Sequence, residues 1–173
     1  MMLDSGMHRG QQWLKTLLRL TGTPAEIQGN LETDPSQFDN FPETDSYWLT
    51  IDETNLTQKQ IQVLIGANGS VLDAIQYLAN SVLNLNQPPG SQASYTIDLN
   101  GYRLKRQGEI RALAEAAAEE VRASGREVEI KSLSAAERRQ IHSFFQEFAD
   151  LQTFSRGREP HRHLVVCPAP TVE

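Results

Sequence analysis

The stretch Leu64-Ile65-Gly66-Ala67-Asn68-Gly69-Ser70-Val71-Leu72-Asp73-Ala74-Ile75-Gln76-Tyr77-Leu78 decides how the first half of this chain is read. Two glycines three apart interrupt a helical pattern. Before them, Thr57 and Gln60 stand at capping-box spacing and open a short helix through Leu64. After them, Val71, Leu72, Ile75, Leu78, Ala79, Val82 and Leu83 form an apolar stripe of period 3.6, which predicts a second helix. Such a turn lets the backbone pass tightly with no side chain over it. The amides opening the following helix then face outward with the positive end of its dipole, a geometry that accepts phosphate. The same spacing also serves plain helix packing, and these residues alone leave both readings open.

Working outward, Tyr47, Leu49 and Ile51 alternate with polar neighbours and predict a strand, as do Tyr95, Ile97 and Leu99. A weaker strand is expected over 25–31. Trp13, Leu14, Leu17 and Leu18 make a helical stripe over about 10–20, ended by Gly22 and Pro24. Between 32 and 46 the chain is acidic and broken by Pro35 and Pro42, the composition of a long loop. The first half therefore reads helix, strand, strand, helix, Gly-x-x-Gly, helix, strand.

The second half reads helix, strand, helix, strand, strand. A long helix over 102–123 places Ile110, Leu113, Ala114, Ala117 and Val121 on one face and stops at Gly125. A short strand carries Val128 and Ile130. Ser134 and Glu137 form a second capping box, opening a helix whose expected core face is Ile141, Phe144, Phe145 and Phe148. Strands over 153–155 and 164–167 flank the turn residues Gly157 and Pro160. The fold class expected is α+β, in two small units over 10–100 and 101–168.

Charge separates the halves. The chain carries −6 overall, yet residues 101–173 hold 12 basic against 11 acidic side chains, while residues 1–100 hold 4 against 11. A polyanion should prefer the second half. Within it, Arg138 and His142 stand at i and i+4 and share a helix face. A guanidinium and an imidazole so placed can both donate to phosphate oxygens; a solvated helix face has the same spacing.

The 173 residues hold a single cysteine, Cys167, so no internal disulfide or multi-cysteine zinc site is available, and a reducing compartment is expected. No apolar run approaches the ~18 residues of a membrane span, and the amino-terminal residues lack the apolar core of a signal peptide. Walker, Gly-x-Ser-x-Gly and His-Glu-x-x-His motifs are absent. His161 and His163 share a strand face near Cys167, but a metal site there would need His142 as well; none is expected.

In its setting, the 64–78 stretch resembles the KH signature of the Jag family of bacterial RNA-binding proteins, and the element order around it is the type II KH arrangement. Three further features are similar to that family: Gly101-Tyr102-Arg103-x-Lys105-Arg106 at the entry to the long helix, Arg138-x-x-x-His142, and Ser155-x-Gly157-x-Glu159-Pro160-x-Arg162-x-x-Val165-Val166. The likeness does not reach the small amino-terminal domain many members carry. Two loop positions depart from the pattern: Ala67 and Asn68 stand where the family usually has a Lys or Arg.

The resemblance implies a type II KH unit over 10–100 and an R-x-x-x-H unit over 101–168, in a cytoplasmic, noncatalytic RNA-binding protein without cofactor or metal. Arg138 and His142, flanked by Arg103, Arg106, Arg158 and Arg162, would hold phosphates of single-stranded RNA. Gly66, Ala67, Asn68 and Gly69 would assist. The alternative is an adaptor whose acidic KH unit pairs with a small separate KH-domain protein.

Overall fold

A computed structural model describes residues 5–31, 45–88 and 90–170. The chain divides into two compact units, Met1–Arg103 and Leu104–Glu173. Most of the acidic loop expected over 32–46 lies outside the described residues, as does Pro89.

In the first unit, α1 (Ser5–Leu20) is followed by β1 (Ile27–Leu31), β2 (Asp45–Ile51), α2 (Gln58–Ile65), a 3-10 turn (Ala67–Gly69), α3 (Ser70–Leu83) and β3 (Ala93–Leu99). The sheet order is β1-β2-β3, with β1 antiparallel and β3 parallel to β2. Alternation sorts the strands: Tyr47, Leu49 and Ile51 of β2 and Tyr95, Ile97 and Leu99 of β3 are buried against Leu14, Leu18, Leu72, Ile75 and Ala79 from the helices. Helix α1 begins five residues earlier than its apolar stripe predicts. Gly6 and Gly10 allow this by close approach: a Cβ on Gly6 would meet the Tyr47 ring at 2.7 Å, and one on Gly10 the Tyr95 ring at 2.5 Å.

Helix α3 has three faces. Leu72, Ile75, Ala79 and Leu83 enter the core. Val71, Leu78 and Val82, expected in the same stripe, are instead exposed. The third face is polar and closes the free edge of β3. Asn80 Nδ2 donates to Tyr95 O at 2.8 Å while Tyr95 N donates to Asn80 Oδ1 at 2.9 Å. Asn84 makes the same pair with Ala93 at 2.8 and 2.9 Å, and Ile97 N donates to Gln76 Oε1 at 3.0 Å. Side chains at i, i+4 and i+8 thus replace a missing strand and satisfy edge groups that otherwise invite further pairing.

The second unit contains most of α4 (Tyr102–Ser124), then β4 (Val128–Ile130), α5 (Ala135–Phe145), β5 (Leu151–Arg156) and β6 (His163–Pro168). The sheet order is β4-β6-β5, antiparallel throughout. One face packs Ile130, Leu164 and Val166 against Ile110, Ala114, Ala117, Ala118 and Val121 of α4 and Ile141 and Phe145 of α5. Leu113, expected on that face, is exposed: the buried stripe is nearly all alanine and narrow enough to exclude it. Phe148 lies beyond the end of α5 rather than on it, yet still packs on the core beside Phe144, 5.2 Å between ring centroids. Both capping boxes form. Gln60 N donates to Thr57 Oγ1 at 3.2 Å, and Ser134 N donates to Glu137 Oε2 at 2.7 Å. No helix among the described residues is long and apolar enough to cross a membrane.

Candidate nucleic-acid interface

The first candidate surface is the 66–69 turn. Gly66, Asn68 and Gly69 all take positive φ (72°, 52° and 79°), which folds the chain back between α2 and α3. Gly69 is buried beneath Tyr102, and a Cβ there would lie 2.5 Å from that ring, so this position is closed by packing as well as by φ. Ala67 and Asn68 form the exposed tip. The cation that follows in sequence, Arg103, is committed elsewhere. Its Nε donates to Ile97 O at 3.0 Å, Nη2 to Gln76 Oε1 at 3.1 Å, and Nη1 forms a close ion pair with Asp73.

The second candidate is built around α5. The helical spacing puts Arg138 in line to face a phosphate, and the structure corrects this. The guanidinium is buried, the side chain 6% exposed, and all its observed partners are internal. Nη1 donates to Leu133 O at 2.7 Å and to Arg162 O at 3.3 Å, while Nη2 forms a close ion pair with Glu159. A planar fork with donors on two sides suits this work, because one residue ties the β5–β6 connection, residues 157–162, to the start of α5. Arg158 and Arg162 on that connection are exposed and have no carboxylate partner among the described residues. Arg139, next to Arg138 on α5, is likewise exposed and has none among those residues.

One turn along α5, His142 is exposed, with Nδ1 2.5 Å from Thr153 Oγ1 on β5. That contact fixes the ring and leaves Nε2 without a partner among the described residues. Arg106 is half-buried and pairs with Glu137 at 2.8 Å and Glu109 at 3.3 Å. Glu137 therefore both caps α5 and neutralises Arg106.

Carboxylates absorb much of the remaining positive charge. Arg122 binds Asp150 at 2.7 Å, and Arg156 binds Glu127 at 2.7 Å. These hydrogen bonds hold the Asp150 and Glu127 carboxyls below their ordinary range and raise both guanidiniums. Glu129, bonded first by Lys131, is lowered too. Among the described residues of the second unit, the exposed cations without such partners are Lys105, Arg126, Arg139, Arg158 and Arg162. Sequence reasoning missed Arg139 as a free cation and Glu159 as the partner of Arg138. The Glu159-Pro160 step carries a motif signal, but 21 residues separate the two ionic groups. Among the described residues no three His, Cys, Asp or Glu side chains are grouped to hold a metal ion.

Known proteins share parts of this chain. Residues 108–168 match the R-x-x-x-H domain family, named for an arginine and a histidine with three residues between them. The chain is 36% identical over 104 residues to RNA-binding protein KhpB of Lactiplantibacillus plantarum, an alignment covering 60% of this chain and 32% of that protein. It is 32% identical over 114 residues to RNA-binding protein KhpB of Bacillus subtilis, covering 65% and 54%. For the protein of that name from Clostridium symbiosum the figures are 32% over 112 residues, 65% and 50%. The chain thus spans about half or less of the length of these relatives. With its R-x-x-x-H domain over 108–168 and this similarity to the KhpB proteins, the chain belongs to the Jag family.

Proposed function

We propose that this chain is a noncatalytic RNA-binding protein that takes the phosphates of single-stranded RNA on its R-x-x-x-H unit, in the cytoplasm of a bacterium. The observation that carries the reading is the clasp of Arg138. A buried guanidinium orders the 157–162 connection and leaves Arg158 and Arg162 exposed and unneutralised. His142 and Arg139 on the adjoining helix supply two further donors. Arg138 is then a positioning residue, and Arg103 and Arg106 serve the fold through their ion pairs. Sequence-independent affinity for a polyanion comes from cations that are free to release counterions, so these four side chains matter more than the total charge of the unit. The similarity to proteins named RNA-binding supports the polymer assignment.

The first unit is read as a type II KH domain, on its element order and mixed sheet. Its 66–69 tip offers backbone but no cation, so its grip on phosphate is the weaker one. A second reading has a specific observation in its favour: Val71, Leu78 and Val82 leave an uncharged apolar stripe exposed on α3, which suits pairing with another KH-type protein. The deciding experiment is single-stranded RNA binding measured across salt for the wild type and for Arg158→Gln/Arg162→Gln. Under the first reading the double variant weakens binding and flattens its salt dependence. Unchanged affinity and slope would remove the R-x-x-x-H unit as the phosphate site and leave the adaptor reading.

A further inference from the structure

The sheet of the second unit has one face packed by helices and another that they do not cover. Phe154 of β5 stands on the uncovered side. It pairs in register with Val165 of β6, which alternates away from the core residues Leu164 and Val166. Phe154 is nonetheless 41% exposed, a large aromatic ring held open two residues before the connection that bears Arg158 and Arg162. The Arg156 guanidinium lies 5.3 Å from the ring centroid and is anchored by Glu127 at 2.7 Å and Glu129 at 3.3 Å. The ring is thereby backed by a cation, and the charges beside it are already neutralised among themselves.

We propose that Phe154 is a base-stacking platform: one nucleobase of the bound strand lies on this ring while neighbouring phosphates sit on Arg158 and Arg162. The inference rests on the RNA-binding reading above and adds the surface that takes the bases. Two arguments favour a base over a phosphate here. Glu127 and Glu129 repel an anion, whereas a neutral π face stacks on an aromatic ring whatever the sequence. A guanidinium on the ring also extends the stack by cation–π attraction. Placing bases on the sheet and phosphates on the connection uses both halves of the nucleotide within one hairpin.

The test uses the full chain and labelled single-stranded oligouridine and oligoadenosine of about ten nucleotides, within ordinary site sizes. Phe154→Leu keeps apolar cover over Val165 but removes the π face; Phe154→Tyr and Phe154→Trp keep the π face. Thermal melts accompany each variant to show that the fold is intact. Phe154→Leu should weaken binding about 5- to 100-fold, ~1–3 kcal/mol, with the aromatic variants close to wild type. On the same strands made abasic, Phe154→Leu and wild type should bind alike. Quenching of the introduced indole in Phe154→Trp by bound strand gives an independent readout. Equal binding of Phe154→Leu and wild type on intact strands overturns the stacking platform, and if Arg158→Gln/Arg162→Gln still weakens binding, only the platform falls. A wild type that binds no strand at low salt overturns both readings together.

Discussion

Two turns in this molecule present themselves to phosphate, and they are built by opposite means. The 66–69 turn is shaped by backbone: positive φ at Gly66, Asn68 and Gly69, with Gly69 sealed beneath Tyr102. The 157–162 connection is shaped by a charge, the buried guanidinium of Arg138 holding Leu133 O, Arg162 O and Glu159. One turn uses no cation and offers none. The other buries one arginine and thereby aligns two more. The difference teaches that charge must be counted by position: the conspicuous arginine of a motif can be the one that never meets the ligand.

The contrast breaks most severely at Arg138. Arg138→Ala leaves two carbonyls without their donor and Glu159 without its cation, and should lower the stability of the unit by ~2–3 kcal/mol, read by denaturant unfolding. Glu159 is largely exposed, so the lost hydrogen bonds to carbonyls dominate that figure. RNA affinity should fall with it, and Arg138→Lys should restore it only partly, lacking the fork. A variant as stable as wild type would show that the clasp does not hold the connection.

Next in size is Arg158→Gln/Arg162→Gln, which should weaken single-stranded RNA binding about tenfold at moderate salt. Each lost phosphate contact reduces the slope of log K against log salt by ~0.7 for a single strand, so the pair should remove about 1.4. Sharpening the other side of the comparison requires substitutions that the turn tolerates. Gly69 cannot be replaced without striking Tyr102, but Ala67 and Asn68 are exposed. Asn68→Asp suits the left-handed position and adds a negative charge; it should change affinity less than about threefold if the turn contributes little. Ala67→Lys should steepen the salt slope by up to ~0.7 if the turn lies along the bound strand, and leave it unchanged if it does not.

Smaller effects follow pH. If His142 binds phosphate as a cation, affinity weakens as pH rises from about 5.5 to 8, and His142→Gln flattens that profile. A flat wild-type profile would make His142 a neutral donor. Stability responds at the acid end. Glu127, Glu129 and Asp150 have folded-state values below their ordinary range, so their contribution is present above the unfolded carboxylate range and is lost as pH falls through the lowered values. All three belong to the second unit; Asp52, lowered by the Thr54 hydroxyl, is the corresponding group described in the first. Acid unfolding should therefore affect the second unit first, by a modest margin because these pairs are exposed. Domain-resolved NMR or hydrogen exchange from about pH 5 down to about pH 3 would show the order.

Some of this is plain in the residues. Thr57/Gln60 and Ser134/Glu137 announce two helix starts because a capping box is a contact between residues three apart. The alternation through Tyr47–Ile51 and Tyr95–Leu99 names buried side chains correctly for the same local reason. Helix α1 reads short in the sequence because Gly6 and Gly10 look like helix breakers until Tyr47 and Tyr95 are seen packed against them. The carboxamides of Gln76, Asn80 and Asn84 look like ordinary solvated positions; only the free edge of β3 gives them partners.

By itself, then, the sequence determined the order of elements, the α+β class, the two helix caps and the family, all of which rest on neighbours a few residues apart or on motif spacing. Tertiary structure alone decided which cations are free. Whether an arginine meets solvent or a carboxylate depends on residues brought together from far along the chain, Arg138 with Glu159 and Arg156 with Glu127, and no local periodicity encodes that meeting.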